Sequence, residues 1–160
     1  MEFDIIIKDI VNNDNFKKLE RISHHGVTRF DHSLMVAKYS YKISKALKLD
    51  YNSVTRGAML HDFFFIDNKD LTRKDKLYSI VNHPKIAYNN AIKYFDINYL
   101  EEDIILSHMF PISLKAPRYI ESWIVDMVDN VVAIKEKAYT IKRQLKTAVT
   151  FLLITVLNYM

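Results

Sequence analysis

Apolar residues recur along most of this chain at the three- and four-residue intervals of helices, and polar segments separate the runs. The clearest run lies between Asp31 and Leu49, where a wide apolar face stands opposite four lysines. The pattern predicts helices over residues 5–11, 15–23, 31–49, 54–61, 84–94, 99–108, 120–137 and 140–158. The chain is therefore predicted to be mainly helical.

Residues that favour helix ends fall between these runs. Asp14 is a suitable N-cap for the second helix, and Gly26 is free to take the positive φ that closes it. Pro84 is acceptable in the first turn of a helix, so we expect a helix to begin there. The other predicted caps are Asn52 or Ser53 and Asn98 or Asp96. The polar residues 67–76 are predicted to form a surface loop.

The composition favours one compact helical domain. The 160 residues are 49% hydrophobic and include only two glycines and three prolines, so the chain is globular and turns rarely. This length suits a single domain, since domains commonly have about 100–150 residues. We therefore expect residues 1–160 to form one all-α domain, in which residues 140–158 make a C-terminal packing helix.

The residue types narrow the ligands and the location. The absence of cysteine excludes disulfides and thiolate metal sites, so any metal must have nitrogen and oxygen ligands. Glu2 and Asp4 stand where a secretion signal would carry basic residues, which predicts a cytoplasmic protein. The apolar run 148–157 is far shorter than the roughly 20 residues that span a bilayer, so no membrane partner is expected. The net charge of +4 allows an anionic ligand but is too small to indicate nucleic acid.

The adjacent pair His61-Asp62 is the first candidate for chemistry. An imidazole and a carboxylate that project differently from one backbone can together hold one metal ion or bridge two. An isolated pair of this kind is more often a helix end with a buried histidine, so its meaning depends on the other candidates. His32 falls on an inward stripe with Val36. His61 shares a face with Gly57, whose lack of a side chain allows another helix to approach closely.

Three further candidates lie later in the chain. His83 comes just before a predicted helix start, and His108 lies on an apolar face near the end of its helix. Asp129 shares an apolar stripe with Val125, which predicts a buried carboxylate that needs a metal or a cation as partner. Asp126 lies on a polar stripe of the same helix and is predicted to be wet.

The candidates follow one another as a single histidine, an adjacent His-Asp, two single histidines and a late aspartate. This order resembles the HD-domain metal-dependent phosphohydrolase superfamily, and it looks closest to small stand-alone bacterial HD proteins. The resemblance spans about residues 24–137. The segments that carry it are residues 29–37, 57–62, 83–84, 105–108 and 126–130. The chain departs from many relatives at residues 63–65, where Phe-Phe-Phe replaces a small residue, Gly and Lys.

The resemblance implies an HD-type helical bundle with a metal site between its helices. The implied ligands of a first metal are His32, His61, Asp62 and Asp129. The implied ligands of a second metal are Asp62, as the bridge, together with His83 and His108. These nitrogen and oxygen ligands suit two divalent ions of Mn, Fe, Ni, Co or Zn better than Ca or Mg. The resemblance also implies that Asp62 and His61 are the catalytic residues. They would hold the metal, and a divalent metal lowers the pKa of the water that it binds.

A transferred phosphoryl group requires further cations. The cations near the matching segments are Arg29, Arg118, Lys115, Arg73 and Lys74. Arg29 lies three residues before His32, and Arg118 lies in the loop before the helix of Asp129, so these two are the first choices for binding the substrate. The turn histidines, His24 and His25, are candidates either for the mouth of the site or for a solvated turn.

Three functions remain open on this basis. The first is hydrolysis of a phosphomonoester or phosphoanhydride bond in a nucleotide or other small anion; diadenosine tetraphosphate and nucleoside monophosphates are substrates in related HD families. The second is oxygenation at a mixed-valent di-iron centre, because an inositol-oxygenase-like branch has the same ligand order. The third is a non-catalytic binding module, against which the intact ligand set argues. The expected partner is a small phosphorylated substrate, and a homodimer is also considered.

Overall fold

Eight helices and one short hairpin make up the part of the chain that this computed structural model describes, namely residues 2–24, 26–65 and 72–158. The helices are α1 (Glu2–Ile6), α2 (Lys8–Asn12), α3 (Asp14–Lys17), α4 (Arg29–Ala46), α5 (Tyr51–Leu60), α6 (Arg73–Tyr94), α7 (Tyr99–Ser107) and α8 (Ile120–Asn158). A 3-10 turn covers Lys18–Arg21. The hairpin pairs β1 (Ser23–His24) with β2 (Val27–Thr28) in antiparallel register. The prediction of a single all-α domain is confirmed.

Four helices close around the core. α4 packs against both α5 and α8, and α7 packs against the same two helices from the other side. The shared core is apolar and excludes water, with side chains such as Val36, Ala58, Ile104 and Val125 fully buried. This burial supplies the main stabilisation, since each fully buried aliphatic side chain contributes about 1.5–3 kcal/mol. α6 adds to the outside of α7.

α7 is fixed both at its start and along its length. Asn98, one of the two predicted N-caps, accepts hydrogen bonds from the first turn, and the Glu101 side chain accepts one from the Asn98 backbone, which makes a capping box. Gly57 of α5 lies so near α7 that an added Cβ would be 3.0 Å from two side-chain atoms of Ile104. The predicted close approach at Gly57 is therefore confirmed, and it brings the ends of α5 and α7 together.

Two predicted caps are shifted along the chain. Asp50 caps α5 in place of Asn52 or Ser53, and its carboxylate accepts the backbone N–H of Ser53 at 3.0 Å. Asn13 caps α3 in place of Asp14, and its side chain accepts two backbone N–H groups. Neighbouring polar residues compete for such positions, and tertiary packing selects among them.

The predicted helix over residues 15–23 is wrong in its second half. The α-helix stops at Lys17, a 3-10 turn follows, and the chain then enters the hairpin. Gly26 has a φ of 93°, so the predicted positive φ is confirmed, although it serves the hairpin turn and not a helix end. His24 forms part of β1, whereas His25 lies outside the described residues.

Pro84 does not begin a helix, because it lies inside α6. The prediction is wrong for a physical reason: a proline restricts the residue before it but can be accommodated within a helix that has tertiary support. Residues 67–71 of the predicted loop over 67–76 lie outside the described part of the chain. Residues 73–76 already belong to α6, so the loop prediction is wrong for them.

The two predicted C-terminal helices form one continuous helix, α8. Residues 138–139 between them contain neither glycine nor proline, so nothing in the sequence ends the helix there. Residues 141–148 are exposed, so the prediction of a C-terminal packing helix is wrong for them. None of the helices in the described ranges combines the length and the hydropathy that crossing a bilayer requires.

Candidate metal centre

All six metal ligands suggested by the sequence lie together between the long helices. They are His32 in α4, His61 and Asp62 directly after α5, His83 in α6, His108 directly after α7 and Asp129 in α8. Their ligand atoms form three overlapping groups, in each of which all atoms lie within 4.8 Å of one another. The groups are His32, His61 and Asp62; His61, His108 and Asp129; and Asp62, His83 and His108.

Asp129 joins the histidines of α4 and α5. Its Oδ1 is 2.9 Å from His32 Nε2 and 3.6 Å from His61 Nε2. The Asp129 side chain is only 13% exposed, so the prediction that this carboxylate turns inward is confirmed. His32 and His61 are also almost completely buried, as their inward stripes predict.

Asp62 joins the histidines of α6 and α7. Its Oδ1 is 3.3 Å from His83 Nε2 and 3.8 Å from His108 Nε2, and the two imidazole nitrogens are 2.9 Å apart. The Asp62 side chain is 5% exposed and so faces the cluster and not the solvent. The same carboxylate also groups with His32 and His61, so it lies within reach of the histidines on both sides of the cluster.

The ring orientation of two histidines comes from the helix ends that carry them. His61 Nδ1 donates to the carbonyl of Ala58 at 2.7 Å, and His108 Nδ1 donates to the carbonyl of Ile105 at 2.8 Å. Both carbonyls belong to the last turn of a helix, where main-chain oxygens have no partner within the helix. Each bond turns Nε2 of the ring towards the cluster, and Nε2 is the atom that a metal would bind.

Burial and neighbouring charges set the protonation of the cluster. Burial alone would lower the pKa of His32, but its hydrogen bonds to the carboxylates of Asp129 and Glu136 outweigh this effect and raise that pKa to about 10. For Asp129, burial would raise the pKa, but the hydrogen bond from His32 and the nearby imidazole of His61 hold it well below its ordinary value. Without metal, the positive charge on His32 therefore compensates the carboxylate of Asp129.

The pKa of His108 is shifted in the opposite direction from that of His32. Burial, together with the charges of His61 and His83, lowers the pKa of His108 to about 3. Its imidazole is therefore neutral at physiological pH and can offer a lone pair to a metal without first losing a proton.

The donor set fits a divalent metal. His61 Nε2 is fully buried and has no hydrogen-bond partner among the described residues, although an unpaired buried nitrogen is costly. Imidazole nitrogens and carboxylate oxygens surround it, and these are the donors that Zn, Mn, Fe, Co and Ni accept. A cation at this position would satisfy the nitrogen and the two carboxylates together.

Asp126 is buried, so its prediction as a wet residue is wrong. It is 5% exposed, and its Oδ1 has no hydrogen-bond partner in the described part of the chain. Burial and the charge of Asp129 raise the pKa of Asp126 to about 6. The polar stripe that it shares with Ser122 is buried against α7, where Ser122 donates to Asp103 at 2.9 Å. A polar stripe was therefore a misleading sign of exposure.

Glu136 is a contact residue that the sequence analysis missed. Its Oε2 lies 3.0 Å from His32 Nδ1, on the side of the ring away from Asp129. Glu136 follows Asp129 by seven residues, or two helical turns, and so falls on the same face of α8. That spacing is the feature of the sequence from which Glu136 could have been identified.

Arg29 lies beside the cluster but is buried. Its guanidinium stacks at 3.6 Å on the ring of Phe64 and donates to the Phe64 carbonyl at 2.7 Å. Its Nε is 3.8 Å from Asp62 Oδ2. Only 1% of Arg29 is exposed, so the contacts that the structure gives it are with the protein. The phenylalanines after His61-Asp62 thus hold an arginine next to the bridging carboxylate.

The other predicted cations differ in placement. Arg118 is largely exposed and forms an ion pair with Asp103 at 2.8 Å. Lys115 lines a groove of about 760 Å³ together with Lys85 and Tyr88, next to the α6 segment that holds His83. The side chains of Arg73, His24 and His25 lie outside the described residues, whereas Lys74 is exposed.

The described residues form a helical fold, and the buried His/Asp cluster between its helices has the donor atoms of a metal site. The sequence profile of the HD-domain family matches residues 29–134, which contain all six clustered residues. The chain therefore belongs to the HD-domain family, and the resemblance inferred from its motifs is confirmed.

Two solved structures share the fold. Both are the HD domain of the L. monocytogenes phosphodiesterase PgpH, one free and one in complex with cyclic-di-AMP. Each covers 86% of this chain and 86% of its own, with a TM-score of 0.57. The identities are 17% for the complex and 16% for the free domain, so the likeness concerns the fold alone. Comparison with the curated proteins finds no match.

Proposed function

We propose that this protein is a metal-dependent phosphohydrolase that acts on a nucleotide or another small phosphorylated anion. The observation that carries the proposal is the convergence of six histidines and aspartates from five helical segments into three overlapping ligand groups. Membership of the HD-domain family supports the same chemistry. Two divalent ions are proposed, since Asp62 belongs to ligand groups on both sides of the cluster.

The six clustered residues would bind two metal ions. His32, His61 and Asp129 would hold one ion, His83 and His108 would hold the other, and Asp62 would bridge them. When bound, a divalent ion lowers the pKa of its water ligand and provides positive charge for phosphoryl oxygens. Arg29 would keep the Asp62 carboxylate in place through its charge and through its stack on Phe64.

The groove beside α6 supports a nucleotide-sized ligand. Its volume of about 760 Å³ falls within the range of about 300–1,000 Å³ that small-molecule sites have. Lys85 and Lys115 give it positive charge, and Tyr88 and Leu114 give it apolar surface. The related HD fold that binds cyclic-di-AMP makes a cyclic dinucleotide one compound to test. We therefore keep Lys115 as a substrate-binding residue, with Arg118 and Arg73 as further candidates.

A phosphate-release assay with a panel of metals and substrates tests the proposal. The protein would be stripped of metal, reloaded with Mn, Fe, Co, Ni, Zn or Mg, and incubated with nucleoside monophosphates, diadenosine tetraphosphate and cyclic-di-AMP under nitrogen. We expect hydrolysis with at least one metal. Asp62→Asn and His61→Ala remove proposed ligands, so they should lose at least the about 10–100-fold that changes of outer-shell partners cause. Asp14→Asn removes an exposed carboxylate far from these contacts and should retain full activity.

The alternatives have distinct outcomes in the same experiment. An oxygenase would consume O₂ with a mixed-valent iron signal in electron paramagnetic resonance and release no phosphate under nitrogen. A binding module would show no turnover with any metal, and its ligand binding would survive His61→Ala. Either result would reject the hydrolase.

The homodimer and the cytoplasmic location stay predictions. The exposed apolar side chains on the outer face of α8 are the surface that a second copy would cover; they are Met127, Val131, Ile134, Ile141 and Leu145. Their three- and four-residue spacing is that of helices that pair. We expect light scattering to show a dimer for the wild type and a monomer for Val131→Lys, while Lys137→Ala on an exposed position stays dimeric. A monomeric wild type would reject the dimer.

A further inference from the structure

Glu136 is a buried carboxylate whose position needs an explanation. Its side chain is 4% exposed, and its Oε2 accepts a hydrogen bond from His32 Nδ1 at 3.0 Å. Its Oε1 is buried without a hydrogen-bond partner among the described residues. Burying a carboxylate costs several kcal/mol unless it is well paired, so packing alone does not account for this residue.

The position of His32 in its helix explains why a side chain is needed there. His61 and His108 follow the ends of helices, and free carbonyls of the last turn accept their Nδ1 protons. His32 lies in the first turns of α4, where the main-chain carbonyls already accept hydrogen bonds within the helix. A histidine at this position therefore needs a side-chain acceptor from another helix.

α8 supplies that acceptor at the correct spacing. Asp129 and Glu136 are two turns apart on one face of α8, so their carboxylates reach different sides of the same imidazole. Asp129 Oδ1 lies 2.9 Å from Nε2, and Glu136 Oε2 lies 3.0 Å from Nδ1. Metal-binding histidines commonly donate their other nitrogen to a carboxylate, which fixes the tautomer and the ring orientation.

We propose that Glu136 is the positioning residue of the metal centre, which holds the proton of His32 on Nδ1 and so directs the Nε2 lone pair at the metal. The inference rests on the proposed function, because it concerns the same site. Glu136 itself does not touch the metal, and its contribution passes through the ring of His32.

Metal affinity, measured without any turnover, tests this role. Metal-free wild type, Glu136→Ala, Glu136→Gln and Glu121→Gln would be titrated with Zn and with Mn against a chromophoric chelator. We expect Glu136→Ala to bind about 10–100-fold more weakly than wild type. Glu136→Gln keeps an acceptor oxygen and should lose less, whereas Glu121→Gln, on the first turn of α8, should equal the wild type.

The tautomer of His32 gives a second reading that a merely structural role would not change. Nitrogen-15 shifts of the loaded wild type should show His32 with a protonated Nδ1 and a metal-bound Nε2. In Glu136→Ala the Nδ1 signal should broaden or move, and in Glu136→Gln it should stay near the wild-type position. If alanine prevents folding, the glutamine variant still gives both measurements.

The outcomes separate this inference from the proposed function. If the wild type binds no divalent metal, the proposed function and this inference both fail. If the wild type binds metal and both Glu136 variants bind it within twofold of the wild type, with an unchanged His32 spectrum, only the role of Glu136 fails.

Discussion

His32 shows how much one residue can depend on its neighbours in space. It receives a carboxylate on each ring nitrogen, from two residues of a helix that begins about ninety positions later in the chain. These contacts raise the pKa of His32 to about 10, against the opposing effect of burial. The metal-free protein therefore keeps a proton on His32 Nε2 at neutral pH, and a metal must displace it.

Metal binding should consequently depend on pH. Below about pH 10 the proton on His32 competes with the metal, and each unit of increase in pH makes its removal easier. We expect the metal affinity to rise up to tenfold per pH unit between pH 6.5 and 8.5. Calorimetry in buffers of different ionisation enthalpy should show about one proton released from His32 per binding event.

His108 provides the contrast within the same measurement. Its pKa of about 3 means that its imidazole is neutral above pH 5 and has no second proton to release when a metal binds. A proton release of zero at pH 7 would show that His32 is neutral in the metal-free protein, and it would contradict the arrangement with Asp129 and Glu136.

The cluster residues could be predicted from the sequence, but the residues that contact and orient them could not. Inward stripes and motif order were sufficient for His32, His61 and Asp129, because helical periodicity tells which side of a helix faces the core. Glu136 and Arg29 could not be assigned in this way, since their roles depend on which helix packs against which. Asp126 was placed on the wrong side because α7 covers a polar stripe of α8.

At the scale of helices, the contact between α5 and α7 sets the spacing of the site. Both helices end at cluster residues, and their separation is limited by Gly57 against Ile104. A larger residue at position 57 would push the two ends apart. The packing of these helices therefore bears on metal binding as well as on stability.

We expect Gly57→Ala to lower the free energy of unfolding by about 1 kcal/mol. Overpacking costs about 1–3 kcal/mol, while alanine regains up to about 1 kcal/mol of helix propensity. The new Cβ would lie 3.0 Å from Ile104 Cδ1 and Cγ2. Urea unfolding of the metal-free protein provides the measurement.

The matched test combines the change with Ile104→Val, which removes the Cδ1 atom that the new Cβ would meet. The loss caused by Gly57→Ala should be smaller in that background, by at least about 0.5 kcal/mol in a double-mutant cycle. Equal losses in both backgrounds would show that the two helices have room to spare at this point.

Helix boundaries were the least predictable part of the fold. The long periodic runs of α4, α5 and α7 were recognised from their apolar faces. Pro84 and the residues near 138 were misread, because proline is tolerated inside α6 and nothing in the sequence interrupts α8. The hairpin at residues 23–28 has too few residues to show a strand period. Local sequence rules decide such boundaries only when packing does not override them.

At the scale of the whole molecule, a bound metal ion should hold the helices together and stabilise the native state. The six clustered residues belong to α4, α6 and α8 and to the ends of α5 and α7, so an ion at the centre would connect elements that are distant in sequence. A ligand that binds only the native state raises stability by about 2.7 kcal/mol at one hundred times its Kd.

We expect thermal unfolding of the metal-free protein to shift upward on addition of the preferred metal, and the shift to reverse on chelation. The size of the shift should grow with the logarithm of metal concentration. His61→Ala provides the control, because its loss removes a buried ligand nitrogen. An equal shift in that variant would place metal binding elsewhere on the protein.

The helix ends that hold His61 and His108 also bear on the order in which metal and substrate would enter the proposed site. α5 and α7 both direct their carboxyl ends at the cluster, and such ends carry about half a negative charge each. Arg29 and protonated His32 offset the charges of Asp62 and Asp129, so with the two helix ends the metal-free site offers an anion no net positive charge. On the proposed function, a phosphorylated ligand should therefore enter only after the metal, so that calorimetry with inorganic phosphate should give no heat in the chelated protein. On the proposed function, metal would therefore have to be bound before an anion is recognised.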